Sequence, residues 1–72
     1  MEHFKVGDVL ECITRSVATG WDIDGCKLQI TKVREEENKE EDGDYGLYNL
    51  TKDKFFAYVG MRFVEWNFQK CG

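Results

Sequence analysis

The feature that most constrains the fold is a β-strand entered through a glycine turn, in residues 4–13. Gly7 can adopt a positive φ and Asp8 can hydrogen-bond its own backbone, which together favour a turn. The residues that follow alternate with the period of a pleated strand, with one face formed by Leu10 and Cys12 and the other by Val9, Glu11 and Ile13. This pattern predicts an all-β chain. Its small size predicts a barrel with no room for a buried catalytic site.

The length and the cysteines limit the kind of domain. A single domain over residues 1–72 is expected, and a domain of this size buries only about 60% of its unfolded surface. Ten aromatic residues are enough to close a small core without a metal or a disulfide. The three cysteines (Cys12, Cys26 and Cys71) lack the even count of a disulfide framework and the spacing of a zinc site, and His3 is the only histidine. We therefore expect no metal, no cofactor and a cytoplasmic location.

The rest of the chain divides into further strands. Residues 8–14 form the first strand, and Asp24-Gly25 is a turn signal that leads into a second strand over 27–34. In that strand Val33 joins the face of Leu28 and Ile30 only if a bulge adds one residue near Thr31. Residues 45–50 form the third strand, and 55–59 form either a strand or one helical turn. Residues 61–68 are read as a last strand that is apolar on both faces, and 15–24 as a loop.

Negative charge is concentrated between the second and third strands. Residues 35–44 hold seven acids and one lysine, a local charge of −6, whereas the whole chain carries −4, so the remainder sums to +2. The pattern predicts an acidic hairpin tip that like-charge repulsion keeps in solvent. No apolar run approaches the ~18 residues that cross a bilayer, so no membrane association is expected.

The chain resembles a known group of small proteins in three segments. These are residues 5–13, which include Val6-Gly7-Asp8; residues 25–33, which follow a Gly-x-x-Leu-x-Ile-Thr-x-Val pattern; and Met61-Arg62-Phe63 after an aromatic segment. The pattern resembles small SH3-like β-barrel proteins of bacteriophages. The resemblance implies an SH3-like barrel of about five antiparallel strands. It also implies an accessory protein that modulates or inhibits a host protein, such as a defence or nucleic-acid-handling enzyme, in the host cytoplasm.

Two groups of residues are candidates for binding a partner. The first group is acidic and comprises Glu35, Glu36, Glu37, Glu40, Glu41, Asp42 and Asp44. Its charge could steer the chain to a basic protein surface or imitate the phosphates of a nucleic acid. A run of charges of this kind is also typical of a hairpin tip that only keeps the protein soluble. The second group comprises the aromatic residues Trp21, Tyr48 and Trp66. Trp66 and Phe68 are expected to complete the core, whereas Trp21 lies in a polar loop where exposure would make it a binding residue.

Catalysis is the function that the sequence supports least. There is no serine–histidine–acid set and no glycine-rich phosphate loop, and the paired carboxylates occur only in the acidic segment. The expected function is therefore non-enzymatic binding of a host protein with a basic surface, as a monomer or a homodimer. One alternative is a nucleic-acid-binding barrel, which the acidic segment disfavours by repelling phosphates. The other is a self-associating module that pairs through an edge strand.

Overall fold

The protein forms one five-stranded antiparallel sheet with two short helices. A computed structural model describes residues 4–34 and 43–71. Along the chain the elements are β1 (Val9–Cys12), α1 (Arg15–Gly20), β2 (Lys27–Arg34), β3 (Asp44–Asn49), β4 (Lys54–Gly60), α2 (Met61–Asn67) and β5 (Phe68–Lys70). The strand order is β4-β3-β2-β1-β5, which confirms the five antiparallel strands expected from the sequence.

The closed SH3-like barrel is not confirmed. In the described residues β4 and β5 are the two edges of the sheet, and neither pairs with the other. The prediction of one long last strand is wrong, because residues 61–67 form α2 and only three residues remain for β5. The interval predicted as a loop also contains α1. Of the acidic hairpin, residues 35–42 lie outside the described residues, and only its flanking strands are seen.

The second strand follows its sequence pattern closely. Leu28 and Ile30 are fully buried, and the pairing of β2 with β3 shifts register between Ile30 and Lys32, where a bulge was predicted. Val33 thereby returns to the core face and packs against the buried cluster. Gly25, with φ 76°, supplies the turn before the strand, in a conformation that side chains rarely adopt. The alternation of apolar residues in the sequence therefore predicts both the strand β2 and its bulge.

The core lies between one face of the sheet and the two helices. Leu10, Tyr45 and Leu47 from the strands meet Val64 from α2, and each of these four side chains is fully buried. Phe68 is also buried, as expected, at the start of β5. The opposite face of the sheet, here called the outer face, carries the alternate residues of the strands, including the rows Lys32–Gly46–Tyr58 and Gln29–Tyr48–Phe55. The helices therefore lie on one side, and the outer face has neither helix on it.

The turn before β1 makes stability depend on pH. The backbone N–H of Lys5 donates to Asp8 Oδ2 at 2.9 Å, which lowers the pKa of the Asp8 carboxyl, and the Lys70 ammonium at 3.4 Å acts in the same direction. A lowered pKa in the folded state stabilises the fold above the ordinary aspartate pKa, and this contribution is lost as the pH falls through the folded value. Asp8→Asn should therefore lower the urea midpoint of unfolding at neutral pH. Under acid conditions Asp8 is protonated in the wild type too, so the two urea midpoints should become equal. Asp24→Asn, at another turn, is the control, and a difference that does not change with pH would contradict the assignment.

Candidate functional site

The candidate site is an apolar groove between β4 and α2. Gly60 joins these two elements with φ −53° and ψ 136°, so the chain passes directly from the edge strand into the helix. Met61 and Val64 on α2 are buried in the core and hold the helix against the sheet. The groove has a volume of about 640 Å³ and is lined by Trp21, Phe56, Ala57, Tyr58, Val59, Gly60 and Phe63. Its walls therefore come from two parts of the chain that are distant in sequence, the end of α1 and the consecutive elements β4 and α2.

Trp21 holds these walls together. Its indole stacks on Phe63 with ring centroids 5.0 Å apart and planes 25° apart, and it contacts Phe56 at 5.6 Å. It also lies 6.4 Å from Phe68, which belongs to the buried core. Trp21 is half-buried, because it caps the end of α1 and faces inward rather than lying free in a loop. Trp21 is therefore a wall of the groove that is fixed by its ring contacts, and it is not an isolated exposed side chain.

Four exposed aromatic side chains belong to β4 and α2, the two elements on either side of the groove, and we call them the aromatic surface: Phe55, Tyr58, Phe63 and Trp66. Of these, Tyr58 and Phe63 line the groove. Trp66 is 67% exposed, the largest fraction among the exposed large hydrophobic side chains of the described residues. It lies three residues after Phe63 on α2, a spacing that places the two side chains on neighbouring positions of the helix. Phe55 contacts Tyr58 at 5.4 Å between ring centroids. Exposed apolar side chains that lie together, rather than singly, are typical of interaction sites.

The end of β4 nearest to α2 is also tied to the acidic segment. The Arg34 guanidinium lies 3.6 Å from the centroid of the Tyr58 ring and forms an ion pair with Asp44 at 3.0 Å. The same ring covers Gly46, where a Cβ atom would come within 2.9 Å of the tyrosine ring. Only glycine therefore fits below Tyr58 without a shift. Arg34 directly precedes the acidic segment and Asp44 is its last residue, so both described ends of the segment lie beside Tyr58.

Tyr48 lies on the outer face, outside the groove lining. Its hydroxyl donates to Asp53 Oδ1 at 2.7 Å, and this bond to a carboxylate raises the pKa of the Tyr48 hydroxyl, because ionisation would remove the donor. The bond joins the end of β3 to the turn that precedes β4. We therefore assign Tyr48 to the support of that turn.

The predicted site residues are only partly brought together. Asp44 is on β3 in its ion pair, Trp21 lines the groove, and Trp66 is on the nearby helix. The expectation that Trp66 completes the core is wrong, because residues 61–67 are helical and the buried positions are Met61 and Val64. The remaining acidic candidates lie outside the described residues: Glu35, Glu36, Glu37, Glu40, Glu41 and Asp42.

Sequence reasoning missed most of the aromatic surface. Phe63 and Trp66 were assigned to a strand, in which they would lie on opposite faces, and the helical spacing of three residues was the signal that would have paired them. Phe55 and Tyr58 lie in an interval for which strand and helical turn both remained open. The structure resolves that interval as strand β4.

Together, the fold and the groove define a small β-rich protein with one antiparallel sheet and an exposed aromatic surface at one edge. Comparisons with protein-family models, curated proteins and solved structures each found no match. No group of three or more potential metal ligands occurs among residues 4–34 and 43–71. Neither helix in the described part of the chain is long and apolar enough to cross a membrane.

Proposed function

We propose that this chain is a non-enzymatic binding protein that docks on another protein through its aromatic surface. The observation that carries this proposal is the exposure of Trp66 on α2, three residues after Phe63, which lines the apolar groove. Tryptophan and tyrosine are enriched among the residues that dominate binding energy, since each provides a large contact area with few rotatable bonds. In a chain this small, leaving such side chains in water costs free energy that a partner would recover.

The partner we propose has a basic surface next to an apolar contact. The acidic segment follows Arg34 and ends at Asp44, and Arg34 stacks on Tyr58 of the aromatic surface. A net charge of −6 over residues 35–44 would speed association with a basic surface, with an effect that decreases as salt increases. The SH3-like barrel, the phage origin and the modulation of a host enzyme in the host cytoplasm, which the sequence resemblance implies, belong to this proposal.

Removing Trp66 tests the proposal. We expect Trp66→Ala to weaken partner binding by about thirtyfold or more, the effect of losing a central interface residue, with little change in the urea midpoint. Immobilised wild-type protein and the variant would be exposed to bacterial lysate, and the recovered proteins identified by mass spectrometry and then titrated. Val6→Ala is the control, because Val6 is 60% exposed but lies in the turn before β1. A partner that binds Trp66→Ala as tightly as wild type would contradict the assignment of the site.

A second candidate function is nucleic-acid binding by the outer face. The observation that favours it is the presence of Tyr48, Phe55 and Tyr58 on one sheet face with Lys32, whose ammonium has no polar partner among the described residues. Aromatic side chains can stack on bases while cations contact phosphates. This function predicts binding to single-stranded DNA or RNA that is lost in Phe55→Ala, unchanged in Trp66→Ala and strengthened when the acidic segment is deleted. Binding that follows Trp66 instead would exclude it.

A further inference from the structure

We infer that a small pocket between the turn after α1 and the start of β4 binds a short organic carboxylate. The pocket shares Trp21 and Phe56 with the apolar groove, but none of the four residues of the aromatic surface lines it. The inference therefore goes beyond the docking of another protein and concerns a separate site.

The pocket is held between two turns that Lys52 ties together. The first turn follows α1 and contains Asp22, with φ 56°, and the second precedes β4. The Lys52 ammonium donates to the Asp22 carbonyl oxygen at 2.8 Å and to Asp22 Oδ2 at 3.1 Å. The cavity between these turns has a volume of about 150 Å³. This is roughly ten times the minimum volume that holds one water molecule, so a group of several heavy atoms fits.

Asn49 presents an unpaired hydrogen-bond donor to this pocket. The residue is 1% exposed, and its Oδ1 accepts from the backbone N–H of Lys52 at 2.9 Å, which fixes the end of the amide that carries the nitrogen. Asn49 Nδ2 has no hydrogen-bond partner among the described residues. Since no side-chain nitrogen or oxygen sealed from solvent lacks a partner in that part of the chain, Nδ2 reaches the pocket that Asn49 lines. A ligand with an acceptor atom would recover the free energy of this unmade bond.

The charges around the pocket favour an anion. The Lys54 ammonium also lines the pocket and has no polar partner within residues 4–34 and 43–71. Lys52 has three N–H donors and uses two of them on Asp22. The Asp22 side chain, the one carboxylate in the described lining, is 96% exposed, so solvent and Lys52 both reduce its repulsion of an anion. Two ammonium groups and one carboxylate leave a net charge of +1 around the pocket.

The remaining wall of the pocket is apolar and favours a ligand with a hydrocarbon body. Trp21, Ile23 and Phe56 form this wall, in which Ile23 is 2% exposed and the rings of Trp21 and Phe56 lie 5.6 Å apart. Phosphate or sulfate would bury oxygen atoms against the wall without partners. A short carboxylate places its oxygens at Asn49 and Lys54 and its carbon atoms against the rings, without entering between them.

Titration with propionate, followed by NMR, tests the proposal. We expect saturable shifts of the Asn49 side-chain amide and of the Trp21 indole N–H. Propionate should bind about tenfold more tightly than propionamide, which has nearly the same shape and no charge, because hydrogen bonds to a charged acceptor are about twice as strong. Sodium chloride at the same ionic strength should not reproduce the shifts, since it only screens the exposed charges.

Variants of the two donors locate the site. Lys54→Gln removes an ammonium from an exposed position, so it should weaken propionate binding by about tenfold and change propionamide binding little. Lys27→Gln is the matched control, because the Lys27 ammonium is exposed and lies 3.7 Å from Cys71 Sγ, beside the opposite edge of the sheet. Asn49→Asp keeps the acceptor for Lys52 N–H and replaces the free donor by a carboxylate, so it should abolish propionate binding, with folding checked by the urea midpoint.

A peptide analogue separates the two sources of a carboxylate. N-acetylglutamate N-methylamide carries the propionate group on a peptide backbone. Tighter binding of propionate supports a free acid as the ligand, and tighter binding of the analogue supports a glutamate side chain of another protein in the same site. The proposal is overturned by the absence of saturable shifts at Asn49 and Trp21, by equal affinity for propionate and propionamide, or by equal loss in Lys54→Gln and Lys27→Gln. Shifts that sodium chloride reproduces would overturn it as well.

Discussion

Replacing Tyr45 with alanine is expected to destabilise the protein by about 3–5 kcal/mol, the range for truncating a large buried aromatic side chain. Tyr45 is fully buried at the second position of β3, opposite Val33 on one side and Val59 on the other. A chain of this length is expected to have a total stability of roughly 4–11 kcal/mol, at about 0.05–0.15 kcal/mol per residue. The expected loss is therefore a large share of the total stability, and Tyr45→Ala should unfold at a much lower urea concentration than the wild type.

The hydroxyl of Tyr45 explains part of this effect. It accepts a hydrogen bond from the backbone N–H of Phe4 at 2.9 Å and donates to Glu65 Oε2 at 2.8 Å, so it connects the start of the described chain to α2. Tyr45→Phe keeps the ring and removes both hydrogen bonds, and we expect it to cost about 1–2 kcal/mol. Urea denaturation followed by tryptophan fluorescence measures both variants. A loss below about 1 kcal/mol for Tyr45→Ala would contradict the packing described for the core.

A segment can be predicted from the sequence when the spacing of its apolar residues fits only one regular structure. In β2 the alternation of Leu28 and Ile30, followed by the displaced Val33, fits one strand with one bulge and no other regular structure. Strand β1 is equally restricted, because Leu10 faces the core and a glycine turn precedes it. In both cases, one face of the strand is buried and the other is not. A shift of one residue would expose the whole apolar face, which makes the prediction robust.

Residues 61–68 show why the last part of the chain could not be predicted in the same way. Apolar residues are so dense there that both periods fit: a strand places Met61 and Phe63 on one face, and a helix places Met61 beside Val64. Packing against the sheet decides between them, because α2 buries Met61 and Val64 and leaves Trp66 in solvent. A choice of this kind is made by tertiary contacts rather than by intrinsic preference. The error about Trp66 follows directly from the error about the helix.

The groove was beyond sequence reasoning for a related reason. Its walls come from the end of α1, from β4 and from α2, and their meeting depends on the order of the strands in the sheet. Nothing local to Trp21 indicates that Phe63, more than forty residues later, stacks on it. The sequence did indicate that Trp21 differs from the other aromatic residues. It gave no information about the partners that make it half-buried.

Reversal of the acidic segment is the second change with a large expected effect. Replacing Glu35, Glu36, Glu37, Glu40 and Glu41 with lysine should abolish binding of a basic partner and leave the fold intact. The reason is electrostatic: the reversal converts attraction to repulsion next to the aromatic surface, since Arg34 and Asp44 fix both ends of the segment beside Tyr58. Partner affinity would be measured by titration at low and high salt, and folding by the urea midpoint.

A second set of variants with glutamine at the same five positions separates charge from side-chain contact. If charge steers the partner, affinity should decrease in the order wild type, glutamine variant, lysine variant, and the differences should narrow as salt increases, because exposed charges are screened beyond about 10 Å at 0.1 M salt. The association rate should change more than the dissociation rate, as expected for charges at the rim of an interface. Equal affinity of all three proteins would show that residues 35–41 do not contribute to binding. Affinity would then rest on the aromatic surface alone, where Trp66→Ala already measures it.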